Sequence, residues 1–168
     1  MKNVFEQTEK TVQLTRQNLS GENDTLALGC RNRGREISPE FASDTLISSG
    51  ARRIVDIGKV EQTWQLNCMV SDEYVAHAQD EGTMDTTITL KSLQVGGDTV
   101  DITTKEDVER VLEDFLYSNS DVRPHPYILV YGGVTKFGFL GSVSVDEASQ
   151  NGMSTLDISL EFLVADAV

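Results

Sequence analysis

Apolar and polar residues alternate with period two over most of this chain, and the alternation predicts a series of β-strands. In Lys10–Gln17, Val12 and Leu14 stand against Gln13 and Thr15, and residues 24–30 carry Leu26 and Leu28 on one face. The clearest run is Arg52–Val70. There Val60, Trp64, Leu66, Cys68 and Val70 share a face with Gln62 as the exception, and Glu61, Thr63, Gln65 and Asn67 hold the other. Gly58 interrupts that run and marks a bulge or bend. Residues 86–93 are threonine-rich and β-prone, and Gly96-Gly97-Asp98 turns the chain into residues 99–102. Three strand-like runs close the sequence. They are Tyr127–Tyr131, then residues 136–146 with Phe137, Phe139, Gly141, Val143 and Val145 in phase, then residues 155–165. In the last, Leu156, Ile158, Leu160, Phe162 and Val164 alternate against Asp157, Ser159 and Glu161. Gly132-Gly133 suits the primed two-residue turns that join antiparallel strands. Residues 147–154, with Asn151-Gly152, read as the last connection.

One segment has the helical period instead. Residues 103–119 place Val108, Val111, Leu112, Phe115 and Leu116 at i, i+3, i+4, i+7 and i+8, with Glu106, Glu109, Arg110, Glu113 and Asp114 on the wet side. Thr103 and Glu106 have the spacing of a capping box. Pro124-His125-Pro126 ends the following connection, and the polar residues 71–82 read as a loop or a short helical turn. An antiparallel system wet on one side plus a single helix is α+β, mostly β. The expected core gathers Trp64, Leu66, Phe137, Phe139, Leu160 and Phe162 beneath Val111, Leu112 and Phe115.

Composition narrows the class. At 168 residues the chain reads as one domain over 1–168. It has no run of 18 apolar residues, and its start, Met1-Lys2-Asn3-Val4-Phe5-Glu6, lacks a signal-peptide apolar stretch. Cys30 and Cys68 lie on apolar-alternating strands, which favours two buried free thiols over a disulfide or a metal pair. Net charge is −13, with 27 acidic residues scattered along the sequence against six lysines and eight arginines. A uniformly acidic, lysine-poor surface suits work in concentrated salt, where a screening length of about 3 Å removes most self-repulsion. An ordinary acidic protein is the alternative. Duplex DNA is disfavoured as a partner, because affinity there rests on neutralising phosphates.

The arginines depart from this trend. Arg31, Arg33 and Arg35 sit in residues 31–50, a stretch with Gly34 and Pro39 that reads as a long Arg-rich loop, and Arg52 and Arg53 follow directly. Loops of that length are functional or disordered. These five arginines either pair with local carboxylates such as Glu36 and Glu40 or form a contact arm for an acidic partner, which could be a second copy of this chain. No catalytic constellation accompanies them. His77 and His125 lack ligand-spaced neighbours, and Asp72, Glu73, Asp80, Glu81 and Asp85 lack the spacing of a calcium loop. Gly-x-Ser-x-Gly, phosphate-loop and dinucleotide motifs are missing.

The strand pair, the long segment after it, Ile54-Val55-Asp56-Ile57-Gly58 leading to Trp64-Gln65-Leu66, the helix, and Tyr127-Ile128-Leu129-Val130-Tyr131-Gly132-Gly133 before Phe137-Gly138-Phe139-Leu140-Gly141 follow in order. This order resembles the tail-tube-fold family of tailed viruses and contractile injection systems: tail tube, distal tail and related baseplate proteins. The resemblance spans most of the chain in pattern, is nearest over residues 126–162, and rests on no diagnostic motif. It implies an antiparallel β-sandwich or half-barrel with one flanking amphipathic helix, in hexameric rings that stack into a conduit for genome delivery. The long loop would reach the adjacent ring, making Arg31, Arg33, Arg35, Arg52 and Arg53 subunit-interface residues. It implies no enzymatic activity and no cofactor. Partners would be the chain itself and other tail proteins such as tape measure, terminator or baseplate components, without sequence-specific nucleic-acid binding and without a membrane. The place would be the virion tail, assembled in the host cytoplasm, and the acidic composition points to a haloarchaeal virus. The competing reading is an acidic β-barrel binding module for a protein or small ligand in a halophile.

Overall fold

β1 (Lys10–Gln17) pairs on both sides, and that pairing organises the molecule. In the computed structural model, which describes residues 10–17, 21–45, 52–91, 98–118, 127–150 and 152–165, it runs antiparallel to β2 (Asn23–Thr45). β2 pairs with β3 (Arg52–Val70), β3 with β8 (Met153–Val164), β8 with β7 (Val134–Gln150), and β7 with β6 (Tyr127–Tyr131). β6 returns to β1, so six antiparallel strands close a barrel. β4 (Thr87–Leu90) and β5 (Asp98–Asp101) form a separate two-stranded sheet. Two helices complete the fold, α1 (Asp72–Asp80) and α2 (Lys105–Ser118).

The α+β, mostly β class holds, with two corrections. The sheet closes fully instead of stopping at a half-barrel, because short β1 and β6 bridge β2 to β7. A second helix joins the flanking one. Residues 71–82 hold α1, where the Ser71 hydroxyl accepts from the Tyr74 amide at 3.2 Å and Val75 and Ala78 are buried. The last connection is also shorter than expected. β7 runs to Gln150 and β8 starts at Met153, leaving a two-residue turn through Gly152 at φ 77°.

The barrel interior follows the alternation. Val12, Leu14, Leu26, Leu28, Trp64, Leu66, Leu129, Leu140, Ile158, Leu160 and Phe162 are all buried. Tyr131 pairs with Val134 across Gly132 and Gly133, both at positive φ, as the glycine pair predicts. On β7 the phase differs from expectation. Leu140 pairs with Phe162, but the register then slips, and Ser142 faces Glu161. A bulge at Gly141 therefore lets Gly138 and Leu140 point inward before it and Val143 and Val145 after it. Phe137, expected in the core, is 43% exposed on the outer wall, and Phe139 sits half-buried there opposite Leu163.

α2 buries Val108, Val111, Leu112 and Phe115 completely, as its stripe predicts. Its cap is shifted by one residue. Thr104 and Asp107 make the box: Asp107 Oδ2 accepts from the Thr103 and Thr104 amides at 3.0 Å, and the Thr104 hydroxyl faces the Asp107 amide at 3.4 Å. Burial pushes the Asp107 carboxyl up, but these amide bonds outweigh it and hold the group below the usual carboxylate range. Glu106 is drawn instead to Lys105, whose Nζ bonds it at 2.6 Å and reaches Glu147 at 3.3 Å.

Asp114 is the other surprise on this helix. Placed on the wet side by the period, it is 2% exposed and grips Arg16 Nη2 at 2.5 Å. Arg16 continues the inward phase of Val12 and Leu14 and is itself 2% exposed. Its Nη2 donates to the Thr89 carbonyl at 2.9 Å, its guanidinium lies 4.0 Å from the centre of the Phe115 ring, and Asp24 Oδ2 approaches its Nε at 3.7 Å. Asp114 Oδ2 also accepts from the Lys91 amide at 3.0 Å. This buried cluster joins β1, β2, β4 and α2 at one end of the barrel.

Candidate assembly interface

Residues 31–45, expected as an irregular loop, continue β2 as an extended strand. The pairing of β1 with β2 ends at Cys30, and that of β8 with β3 ends at Gln62. From Asn32 opposite Asn67 to Ile37 opposite Gln62, β2 has lost β1 while β3 still pairs with β8; from Ser38 opposite Glu61 out to Thr45 opposite Arg52 the two strands pair only with each other among the described residues. The result is a two-stranded arm, roughly 30 Å long if straight, that leaves the barrel wall. Its composition bars it from a core, as the sequence indicates, but not from a strand ladder, because pairing with β3 satisfies its backbone amides and carbonyls. A register shift between Pro39 and Phe41 falls opposite Gly58, the irregularity expected there.

A bulge sorts the arginines at the root of the arm. Cys30 pairs with Cys68 and Asn32 with Asn67, so Arg31 is the inserted residue. It leaves the inward phase and meets the exposed Asp157 on the outer wall at 3.7 Å, a contact with little energetic weight. Arg33 and Arg35 fall on the inward side, opposite Leu66 and Trp64. The Arg33 guanidinium lies 4.5 Å from the Trp64 ring centre and 5.2 Å from that of Tyr131, closing the end of the barrel opposite α2. The Gln62 amide, oriented oxygen-first, accepts from Arg35. Gln62 was the exception on its apolar face, and this bond explains it.

Arg52 and Arg53 are backbone neighbours of Thr45 and Asp44, roughly 30 Å further along the ribbon than Arg35. The five arginines therefore divide into a root group, itself divided between two faces, and a distal pair. β3 and β7 occupy both edges of β8. Open edges among the described residues include those of the arm and that of β7 beyond Gly138.

Cys30 and Cys68, buried and unbonded, sit behind Arg33. A hydrogen bond from the Cys68 thiol, aided by the Arg33 charge, lowers Cys30, while the same bond and burial push Cys68 up. Among the described residues no group of three His, Cys, Asp or Glu could hold a metal ion. The acidic string that might have done so is used structurally. Asp72 Oδ1 accepts from the Lys105 amide at 2.8 Å and Asp85 from the Thr25 amide. His77 lies beside Glu81 at 3.3 Å, and His125 lies outside the described residues. No described helix is long and apolar enough to cross a membrane.

Trp64 is the only tryptophan, which gives the root a clean reporter. Replacing Arg33 by serine should uncover its ring, shifting fluorescence emission to the red, and should cost about 1 kcal/mol of stacking. An unchanged emission maximum would show that the guanidinium does not cover the indole.

No known family model matches this sequence, and no curated relative does. Among solved structures, the chain is similar to the SPP1 Dit protein, described as a paradigm of the hub adsorption apparatus in Gram-positive infecting phages. The TM-score is 0.41 at 9% identity over 92% of this chain, which spans about half (50%) of that one. It is also similar to a chain from the tail of an empty GTA particle with C6 symmetry. There the TM-score is 0.39 at 14% identity, over 93% of this chain and 92% of that one.

Proposed function

We propose that this chain is a structural virion protein whose copies close into hexameric rings in the tail of a tailed virus, as a tail-tube subunit or a distal-tail ring. The observation that carries this reading is the arm. A two-stranded ribbon is marginally stable alone in water, and its open edges invite pairing, so a barrel that projects one is suited to assembly. Arg31, Arg33 and Arg35 at its root and Arg52 and Arg53 along it give an acidic chain a way to meet copies of itself. The binding-module alternative is less well supported, because Trp64, Phe162 and the core leucines fill the bore where a small ligand would sit. A halophilic source, and with it a virus of a salt-loving archaeon, fits the charge of −13.

Two measurements test the reading. Purified protein in molar potassium chloride is expected to give six-fold rings by electron microscopy and native mass, and a monomer at every concentration would reject it. Thermal midpoints should rise from low to molar salt, since screening over about 3 Å removes carboxylate self-repulsion. A flat or falling midpoint rejects the halophilic source while leaving assembly untouched.

A further inference from the structure

We propose that Cys30 and Cys68 are a modification site: a buried dithiol that hydrogen peroxide closes into a cross-strand disulfide, fastening β2 to β3 at the rim of the barrel. The two residues are direct partners in the antiparallel ladder, each is 2% exposed, and both are free thiols in this structure. Directly opposed residues of such a ladder share a face, with Cα atoms about 4.5–5.5 Å apart. That spacing lies within the roughly 4.4–6.8 Å that a disulfide spans. The thiols already meet through a hydrogen bond. Closure therefore asks for side-chain rotation and leaves the strands where they are.

The pair is chemically unequal. The bond from Cys68 draws Cys30 toward its thiolate against the pull of burial, and the Tyr131 hydroxyl and the Arg33 guanidinium add to it. The same bond, with burial, keeps the proton on Cys68. Cys30 is thus the nucleophile and Cys68 the resolving thiol. In the first step the Cys30 sulfur attacks one peroxide oxygen and the O–O bond breaks. The other oxygen leaves as water, taking up the proton that Cys30 released, and Cys30 becomes a sulfenic acid. In the second step the Cys68 sulfur displaces that hydroxyl, which departs as water with the Cys68 proton. Two thiols are oxidised to one disulfide, and one peroxide is reduced to two waters.

Burial selects the oxidant, and position gives the link its effect. The Arg33 guanidinium, lying over Trp64 and Tyr131, covers the thiols on the open side of the barrel and is itself exposed. A long exposed side chain is a cover that a reagent close to the size of water passes more readily than a bulky disulfide does. Cys30 is the last residue of β2 that β1 holds, and the Arg31 bulge follows it. The covalent loop encloses residues 31–67, which contain the whole arm. A link there ties the ribbon to the barrel where β1 lets go, and it restricts the unfolded chain.

The test treats the folded parent protein with a modest excess of hydrogen peroxide, quenches with catalase, then unfolds and alkylates it. The expected product takes no alkyl group and yields a linked Cys30–Cys68 peptide that dithiothreitol releases. Its melting midpoint should exceed that of the reduced protein by roughly 5–10 °C, and Cys30→Ser or Cys68→Ser should abolish the shift. Where a serine variant fails to fold, the linked peptide of the parent decides. Two alkylated cysteines after treatment, the result for thiols that only fill the core, overturn the proposal. Sulfinic or sulfonic acid at Cys30, or chains joined to one another, do the same. A link that leaves the melting midpoint unchanged overturns the fastening. None of these outcomes reads ring assembly, so a failure here leaves the ring reading standing.

Discussion

Alanine at Asp114 is expected to destabilise the protein by about 3–5 kcal/mol, the usual cost of stranding one member of a buried ion pair. Asp114 and Arg16 are each 2% exposed and meet at 2.5 Å across 98 positions of sequence. Removing the carboxylate strips Arg16 of its closest counter-charge and the Lys91 amide of its acceptor. Such a loss consumes a large part of the 5–15 kcal/mol that holds a typical domain together, and it should lower the melting midpoint by roughly 10 °C. The informative control is the combined R16M/D24L/D114L variant. Exchanging a whole buried cluster for apolar groups of similar size is often close to neutral, so the triple change should cost less than the single one. Urea unfolding checks both. If D114A loses under about 1 kcal/mol, the range of an exposed pair, the cluster does not hold α2 on the barrel.

Gly138→Ala should cost about 3 kcal/mol or more, at or beyond the upper end of overpacking in a filled core. A Cβ built there would lie 1.9 Å from the Leu163 carbonyl oxygen, 2.9 Å from its carbon and 2.9 Å from Phe162 Cε1. The obstruction is mainly backbone, so β7 and β8 must separate where the Ala165 amide reaches the Phe137 carbonyl at 2.8 Å. Gly141→Ala is the contrast. Its Cβ would meet Glu161 Oε1 at 2.6 Å, the far end of a flexible side chain that can swing away, and Leu163 Cγ at 3.3 Å. That change should stay below about 1 kcal/mol. Equal denaturation midpoints for the two variants would mean that the strands do not approach closely at Gly138.

Local periodicity determined much of this protein by itself. The stripe from Val108 to Leu116 announced α2, Gly132-Gly133 announced the β6–β7 turn, and the alternation at Trp64, Leu66 and Cys68 announced the inner face of β3. These signals survive because helix and strand geometry repeat over a few residues, so neighbours in sequence report the same face. The arginines were visible as a group, and their place after the second strand marked the arm. That the arm is a ladder was not legible, because its cross-strand partners are remote in sequence and its own residues suit a loop equally well.

Tertiary structure alone decided the phase and the charges. Single inserted residues at Arg31 and Gly141 reverse which face points inward, sending Phe137 to the surface and Arg33 onto Trp64. A bulge depends on the partner strand's register and leaves almost no local trace, although Gly141 was a hint. The inward phase of Arg16 could have been read from Val12 and Leu14. Its burial could not, because a charge stays out of water only when its counter-charges arrive with it, and Asp114 reaches it only once the barrel has closed and α2 has docked.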